Sequence, residues 1–185
     1  MIIKEIEFKL KDGRNALIRS PKDEDIQGML DYLYISAGET DFILRYPEEY
    51  SKYTAEYEKA LFDRMNESDN EAMLVCLVDG EVAGNCQISW STGIKTRHRA
   101  SVAIALLSKF WNQGIGTKFF QQLIHIAEEH KNLIQIEIEF VEGNSRARAL
   151  YEKMGFRKTG MKPNAIQLKD GTLLKEYSMI REIKR

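Results

Sequence analysis

The chain has 185 residues, of which 43% are hydrophobic, and a formal net charge of -1. That length is enough for one compact domain with a real core, residues 1–185. The near-neutral charge leaves no electrostatic footprint for nucleic acid or an anionic membrane surface.

The N-terminus, Met1-Ile2-Ile3-Lys4-Glu5, carries acidic residues early and no long apolar run, so it reads as neither a signal peptide nor a membrane anchor. An opening hairpin is expected to pair Glu5–Leu10 with Ala16–Arg19 across a turn containing Asp12-Gly13. Ser20-Pro21-Lys22-Asp23 then starts a helix: Pro21 suits its first turn, the acidic run Asp23–Asp25 complements its positive end, and Ile26, Met29, Leu30 and Leu33 form a buried stripe. Between Glu39 and Glu71 the chain is acidic and aromatic, with ten carboxylates against four cations. The spacing of Tyr50, Tyr53, Tyr57 and Leu61 predicts a second helix with those residues in the core. Ala72–Val78 and Val82–Ser89 read as two strands around Asp79-Gly80-Glu81. Cys76 and Cys86 fall within them, without metal-ligand spacing or a neighbouring His, and read as buried free thiols of a cytoplasmic protein. No metal site is expected.

The apolar run Val102–Leu107 reads as a buried strand. It leads into Trp111-Asn112-Gln113-Gly114-Ile115-Gly116-Thr117, after which Phe119, Phe120, Leu123, Ile124 and Ala127 recur at helical spacing. A strand, a glycine turn and a helix N-terminus make an anion seat, because first-turn N–H groups lack intrahelical partners and the positive end of the macrodipole lies behind them. The spacing fits neither a Walker loop nor a dinucleotide fingerprint. Ile134, Ile136, Ile138 and Phe140 then alternate with Gln135, Glu137 and Glu139 as a strand. Gly143-Asn144-Ser145 ends it and offers an N-cap for a short helix carrying Ala147, Leu150, Tyr151 and Met154 on one face. Gly155 ends that helix, Phe156 starts another strand, and Ala165–Leu168 with Thr172–Ile180 form a last hairpin around Lys169-Asp170-Gly171.

The series Asn144-x-Arg146-Ala147-x-x-Leu150-Tyr151-Glu152-Lys153-x-Gly155-Phe156 resembles the second signature of the GNAT superfamily of acetyl-CoA-dependent N-acetyltransferases, and the turn at Gly114 resembles its first. The resemblance runs from about Ala72 to the C-terminus, with a fainter match at Ala16–Arg19; Trp111 stands where the family often has Gln or Arg. It implies an α/β fold: a mixed, mostly antiparallel twisted sheet of about seven strands with helices on both faces and a splay between two central parallel strands. The splay leaves backbone groups unpaired, so an extended ligand can add there like a strand.

The resemblance also implies acetyl-CoA as cosubstrate. Its pyrophosphate would sit on Asn112, Gln113, Gly114, Ile115, Gly116 and Thr117, its pantetheine arm beside Ile104, Ala105 and Leu106, with Asn144 hydrogen-bonding that arm as well as capping its helix. Arg146, Arg148 and Lys153 read as solvated surface rather than phosphate ligands. Thioester aminolysis needs an uncharged amine, a stabilised oxyanion and a proton for the leaving thiolate. Tyr151 is the candidate acid, since a phenol near pKa 10 is protonated at neutral pH, and a backbone N–H near Leu106 can hold the oxyanion. Relatives often place a Glu early on the strand before the turn, whereas this chain has Ser101; Glu137 and Glu139 on the neighbouring strand can act through a water but read better as structural carboxylates. The histidines read as surface residues.

The expected partner is a small-molecule amine or a protein N-terminus, the small amine favoured because nothing marks a long peptide groove. An acyl-CoA-binding regulatory domain without turnover and a ribosomal-protein-type N-terminal acetyltransferase are the alternatives. The last hairpin is free to pair with a second copy as a homodimer.

Overall fold

A computed structural model describes residues 1–183. In chain order the elements are β1 (Ile6–Lys9), β2 (Asn15–Arg19), a 3-10 turn (Asp23–Asp25), α1 (Ile26–Gly38), a second 3-10 turn (Pro47–Lys52), α2 (Ala55–Glu67), β3 (Glu71–Val78), β4 (Glu81–Trp90), β5 (Arg99–Leu106), a third 3-10 turn (Ser108–Phe110), α3 (Ile115–Glu129), β6 (Gln135–Val141), α4 (Ser145–Lys153), β7 (Arg157–Gln167) and β8 (Leu173–Glu182). The strands follow the order β1-β2-β3-β4-β5-β6-β8-β7, mostly antiparallel with β5 and β6 parallel. This is the expected mixed α/β class, with eight strands where about seven were anticipated. The residues cluster into two compact units, Met1–Ser89 with Ala103–Phe119, and Trp90–Val102 with the chain from Phe120 onward.

In the first unit β1 to β4 form an antiparallel meander. Asp79 and Gly80 both take positive φ, 51° and 81°, the two-residue turn that matches strand twist. Ile18, Cys86 and Ile88 lie in the core, and β3 is buried on both faces from Ala72 to Cys76. Both thiols are buried and unbridged, and burial pushes the Cys76 thiol up to about 12, as expected of inert core cysteines. Buried Arg19 at the end of β2 makes a two-pronged ion pair with buried Asp25, bonds of 2.5 and 2.9 Å, fixing where α1 begins.

The second helix differs from the sequence reading. Pro47 opens a 3-10 turn that already contains Tyr50, and α2 starts only after Thr54, whose side chain caps the Tyr57 N–H. The tyrosines satisfy one another: the rings of Tyr50 and Tyr53 lie 5.1 Å apart and those of Tyr53 and Tyr57 4.8 Å apart. The buried face of α2 is Glu58, Phe62 and Met65 instead. Gly84 on β4 admits a close backbone approach: a Cβ there would lie 2.5 Å from the Ala105 carbonyl oxygen.

In the second unit the parallel ladder covers Arg99–Ser101 against Gln135–Glu137, although β5 and β6 both run further. The parallel register ends at Ser101 and Glu137. β6 pairs with β8 along its whole length, and β8 with β7. The strand begun after Phe156 and the first arm of the last hairpin are one strand, β7. Its register shifts between Lys162 and Ile166, around Pro163, which has no N–H to give the ladder, and Asn164 at φ 51°.

Candidate active site

The turn between β5 and α3 is built by residues that tolerate left-handed backbone. Asn112 has φ 63° and Gly114 φ 99°; a β-branched residue would strain at the latter. The first helical bond of α3 runs from the Lys118 N–H to the Gly114 carbonyl at 3.1 Å. The amides of the first turn ahead of it lie at the positive end of the dipole of a 15-residue helix. Ile115 and Gly116 are buried and Asn112 is exposed. The Gln113 side chain is already engaged, its Oε1 accepting the Asp12 N–H at 3.2 Å, so this residue has its backbone to offer a ligand.

Ile104, Ala105 and Leu106 end β5 and are half-buried. The Trp111 indole N–H donates to the Leu106 carbonyl at 2.9 Å, so the residue at the family's Gln or Arg position pins the end of the strand to the entry of the turn. Leu107 continues the chain with its N–H on the Ala83 carbonyl.

Asn144 caps α4: its Oδ1 accepts the Ala147 N–H at 3.1 Å, while its amide N–H2 group stays available. Tyr151 lies one turn further on and is buried. Its ring meets Phe120 edge-on at 5.4 Å and Phe140 at 6.2 Å, with Phe156 also at 6.2 Å. This apolar surround raises the phenol's pKa above its ordinary 10, because burial disfavours the phenolate. Arg148 pairs with Glu152 on the exposed side of α4, 2.8 Å apart, in line with its reading as surface.

Where the β5–β6 ladder stops, a groove of about 310 Å³ is lined by Ser101, Val102, Glu137, Ile138 and Glu139, together with Thr159, Ser178, Met179 and Ile180. Ser101 stands directly across from Glu137, whose carboxylate accepts from Gln135 at 2.6 Å and lies 3.5 Å from Arg99. The groove thus brings together the serine and the two carboxylates singled out from the sequence. His130 packs on Trp90, ring centroids 4.8 Å apart, and has a structural setting. No cluster of His, Cys, Asp and Glu that could hold a metal ion occurs among the described residues, nor is any helix among them long and apolar enough to cross a membrane.

Two features escaped the sequence reading. The Glu39 carboxylate accepts from both the backbone N–H and the hydroxyl of Ser108, at 2.7 Å each, 69 residues away. Glu58 is a buried carboxylate whose Oε2 has no hydrogen-bond partner among the described residues. Burial alone pushes it up to about 7. Neither long-range pairing nor a charged residue on a buried helix face leaves a periodic signal.

Residues 39–156 match the Acetyltransferase (GNAT) family. Over 129 residues, 62% of this chain and 69% of the relative, the sequence is 33% identical to an N-alpha-acetyltransferase of Sulfurisphaera tokodaii. The fold is similar to the crystal structure of an acetyltransferase of the GNAT family from Streptococcus pneumoniae, with a TM-score of 0.84 at 24% identity over 91% of this chain and 99% of that one. It is also similar to yncA of Salmonella typhimurium, solved with its cofactor acetyl-CoA, with a TM-score of 0.77 at 17% identity over 92% and 95% of the two chains.

Proposed function

Since the chain belongs to the Acetyltransferase (GNAT) family and is an acetyl-CoA-dependent N-acetyltransferase, we propose that it transfers the acetyl group to a primary amine, of a small molecule or of a protein N-terminus, by direct attack in a ternary complex. The observation that supports this reading is the turn at the start of α3, where Asn112 and Gly114 hold left-handed backbone just ahead of the first helical turn. The diphosphate of the coenzyme would rest on the amides of residues 112–117. The pantetheine arm would run along Ile104, Ala105 and Leu106, and the Asn144 amide would donate to it.

In the reaction the uncharged amine nitrogen attacks the thioester carbonyl carbon, and the carbonyl π pair moves to oxygen. The Leu106 N–H is the oxyanion donor. As the tetrahedral intermediate collapses, the oxyanion pair re-forms the carbonyl, the C–S bond breaks to sulfur, the thiolate takes the Tyr151 proton, and the phenolate is reprotonated from water. The ammonium proton leaves to water, with Glu137 and Glu139 able to receive it through that water. Burial keeps the Tyr151 phenol protonated beyond the ordinary tyrosine range, so its proton is in place at neutral pH. Ser101, in place of a glutamate, is the feature that favours a binding-only domain; the retained phenol weighs against it.

The relative's description as an N-alpha-acetyltransferase supports a protein α-amine as acceptor. The absence of any sequence signal for a long peptide groove keeps small amines in the comparison. Release of free thiol from acetyl-CoA, followed across polyamines, amino acids, aminoglycosides and N-terminal peptides, tests the reading. Sustained release with at least one amine class is expected, and none with any of them would leave only the binding-domain alternative.

A further inference from the structure

Glu39 directly follows α1, at the negative end of its dipole, where a carboxylate is disfavoured and a cation or glycine would serve the helix better. Its position is explained by what it holds. Both of its oxygens accept from Ser108, one from the backbone N–H and one from the hydroxyl, at 2.7 Å each. These are charge-assisted bonds to the first residue of the 3-10 turn Ser108–Phe110. Ser108 lies four residues before Asn112, and the intervening chain is short of slack: Phe110 is buried with its N–H on the Leu107 carbonyl, and the Trp111 indole is tied to Leu106. Fixing Ser108 therefore fixes the entry to the left-handed turn at Asn112 and Gly114. The ties at Leu106 and Leu107 come from β5 and its own continuation or from β4; Glu39 is the tie from the helical side.

We propose that Glu39 is a positioning residue for the coenzyme turn, acting through Ser108 and touching no ligand itself. The inference rests on the reading that this turn holds the diphosphate of acetyl-CoA. With the clamp in place, the amides of residues 112–117 are ordered before the coenzyme arrives, so binding does not bear the cost of ordering them.

The test is calorimetric titration of the full-length protein with acetyl-CoA, alongside amide hydrogen exchange of the free protein over residues 108–117. Glu39→Ala is expected to weaken acetyl-CoA about tenfold, as loss of two charge-assisted bonds allows, and to speed exchange in that segment. Ser108→Ala, which loses the hydroxyl bond alone, should fall between it and the wild type, while Ser108→Thr, which keeps a hydroxyl donor, should bind as the wild type does. A merely structural role would lower the melting temperature of the two alanine variants without this order in affinity. If the wild type binds acetyl-CoA while Glu39→Ala binds as well or better, with unchanged exchange, Glu39 is not the clamp. Better binding would mark its charge as a repulsion on the polyanion. If the wild type itself does not bind acetyl-CoA, the underlying reading fails, whereas faster exchange in Glu39→Ala would still show the clamp. Should Glu39→Ala fail to fold, the two Ser108 variants decide the matter alone.

Discussion

Phe120 of α3 and Tyr151 of α4 meet edge to face, their ring centroids 5.4 Å apart at 65°. Such a contact holds a ring in place without a polar tether, and Phe140 and Phe156 close around the same ring. A phenol set this way is positioned by packing, so its hydroxyl can be removed without disturbing the ring.

Tyr151→Phe should therefore keep the fold and the acetyl-CoA affinity and lower turnover about a hundredfold or more, the usual contribution of a general acid. Steady-state rates with the best acceptor and a titration with acetyl-CoA check both halves; undiminished turnover would remove Tyr151 from the acid role. The same burial predicts a pH dependence. Because the phenol's pKa is raised, the acid form persists, and turnover should show no loss from this group as pH rises toward about 10.

Gly114 separates a backbone requirement from a steric one. A Cβ at this position meets no protein atom within 4 Å, yet φ is 99°. Gly114→Ala should cost stability through backbone strain alone, on the order of 1 kcal/mol. Gly114→Val adds a branched side chain over the first-turn amides and should abolish measurable acetyl-CoA binding. A normal dissociation constant for the valine variant would contradict the placement of the diphosphate.

Gly84 is a packing requirement. Its added methyl would press on the Ala105 carbonyl oxygen and the Leu106 side chain, backbone that cannot step aside cheaply. Gly84→Ala is expected to destabilise the protein by about 1–3 kcal/mol, a fall in melting temperature of roughly 2–10 °C. A melting temperature equal to that of the wild type would show that β4 and β5 have room to part.

Glu58 makes stability fall as pH rises. The folded protein holds this proton up to about 7, whereas the unfolded chain releases it near the ordinary 4.5. Between those values the folded state binds more protons, so stability declines through the window and the loss is complete above it. Glu58→Gln has no such group to titrate. Denaturant titrations from pH 5 to 8 should show the wild type losing ground to the variant; parallel curves would mean that the carboxylate finds a partner in solution.

The features legible in the sequence are those with local causes. The turn at Asn112 and Gly114, the cap at Asn144 and the alternation of Ile136, Ile138 and Phe140 each follow from backbone or periodic constraints written within a few residues. The aromatic run misled for a physical reason: Tyr50, Tyr53 and Tyr57 have helical spacing, but Pro47 and the Thr54 cap break the run into a 3-10 turn and α2, and the rings meet one another in tilted and edge-on contacts outside the buried face of α2. The strand starting at Phe156 and the hairpin arm from Ala165 read as separate, whereas β7 runs through both with a register shift around Pro163. Glu39 with Ser108, and Glu58 on a buried face, depend on tertiary neighbours far along the chain, which no spacing rule encodes.

The most direct measurement is a crystal structure of the protein with coenzyme A. The account predicts diphosphate oxygens within hydrogen-bond distance of the backbone amides between Gln113 and Thr117, and the coenzyme sulfur within reach of the Tyr151 hydroxyl. A coenzyme bound elsewhere, with those amides facing water or the protein's own side chains, would contradict it.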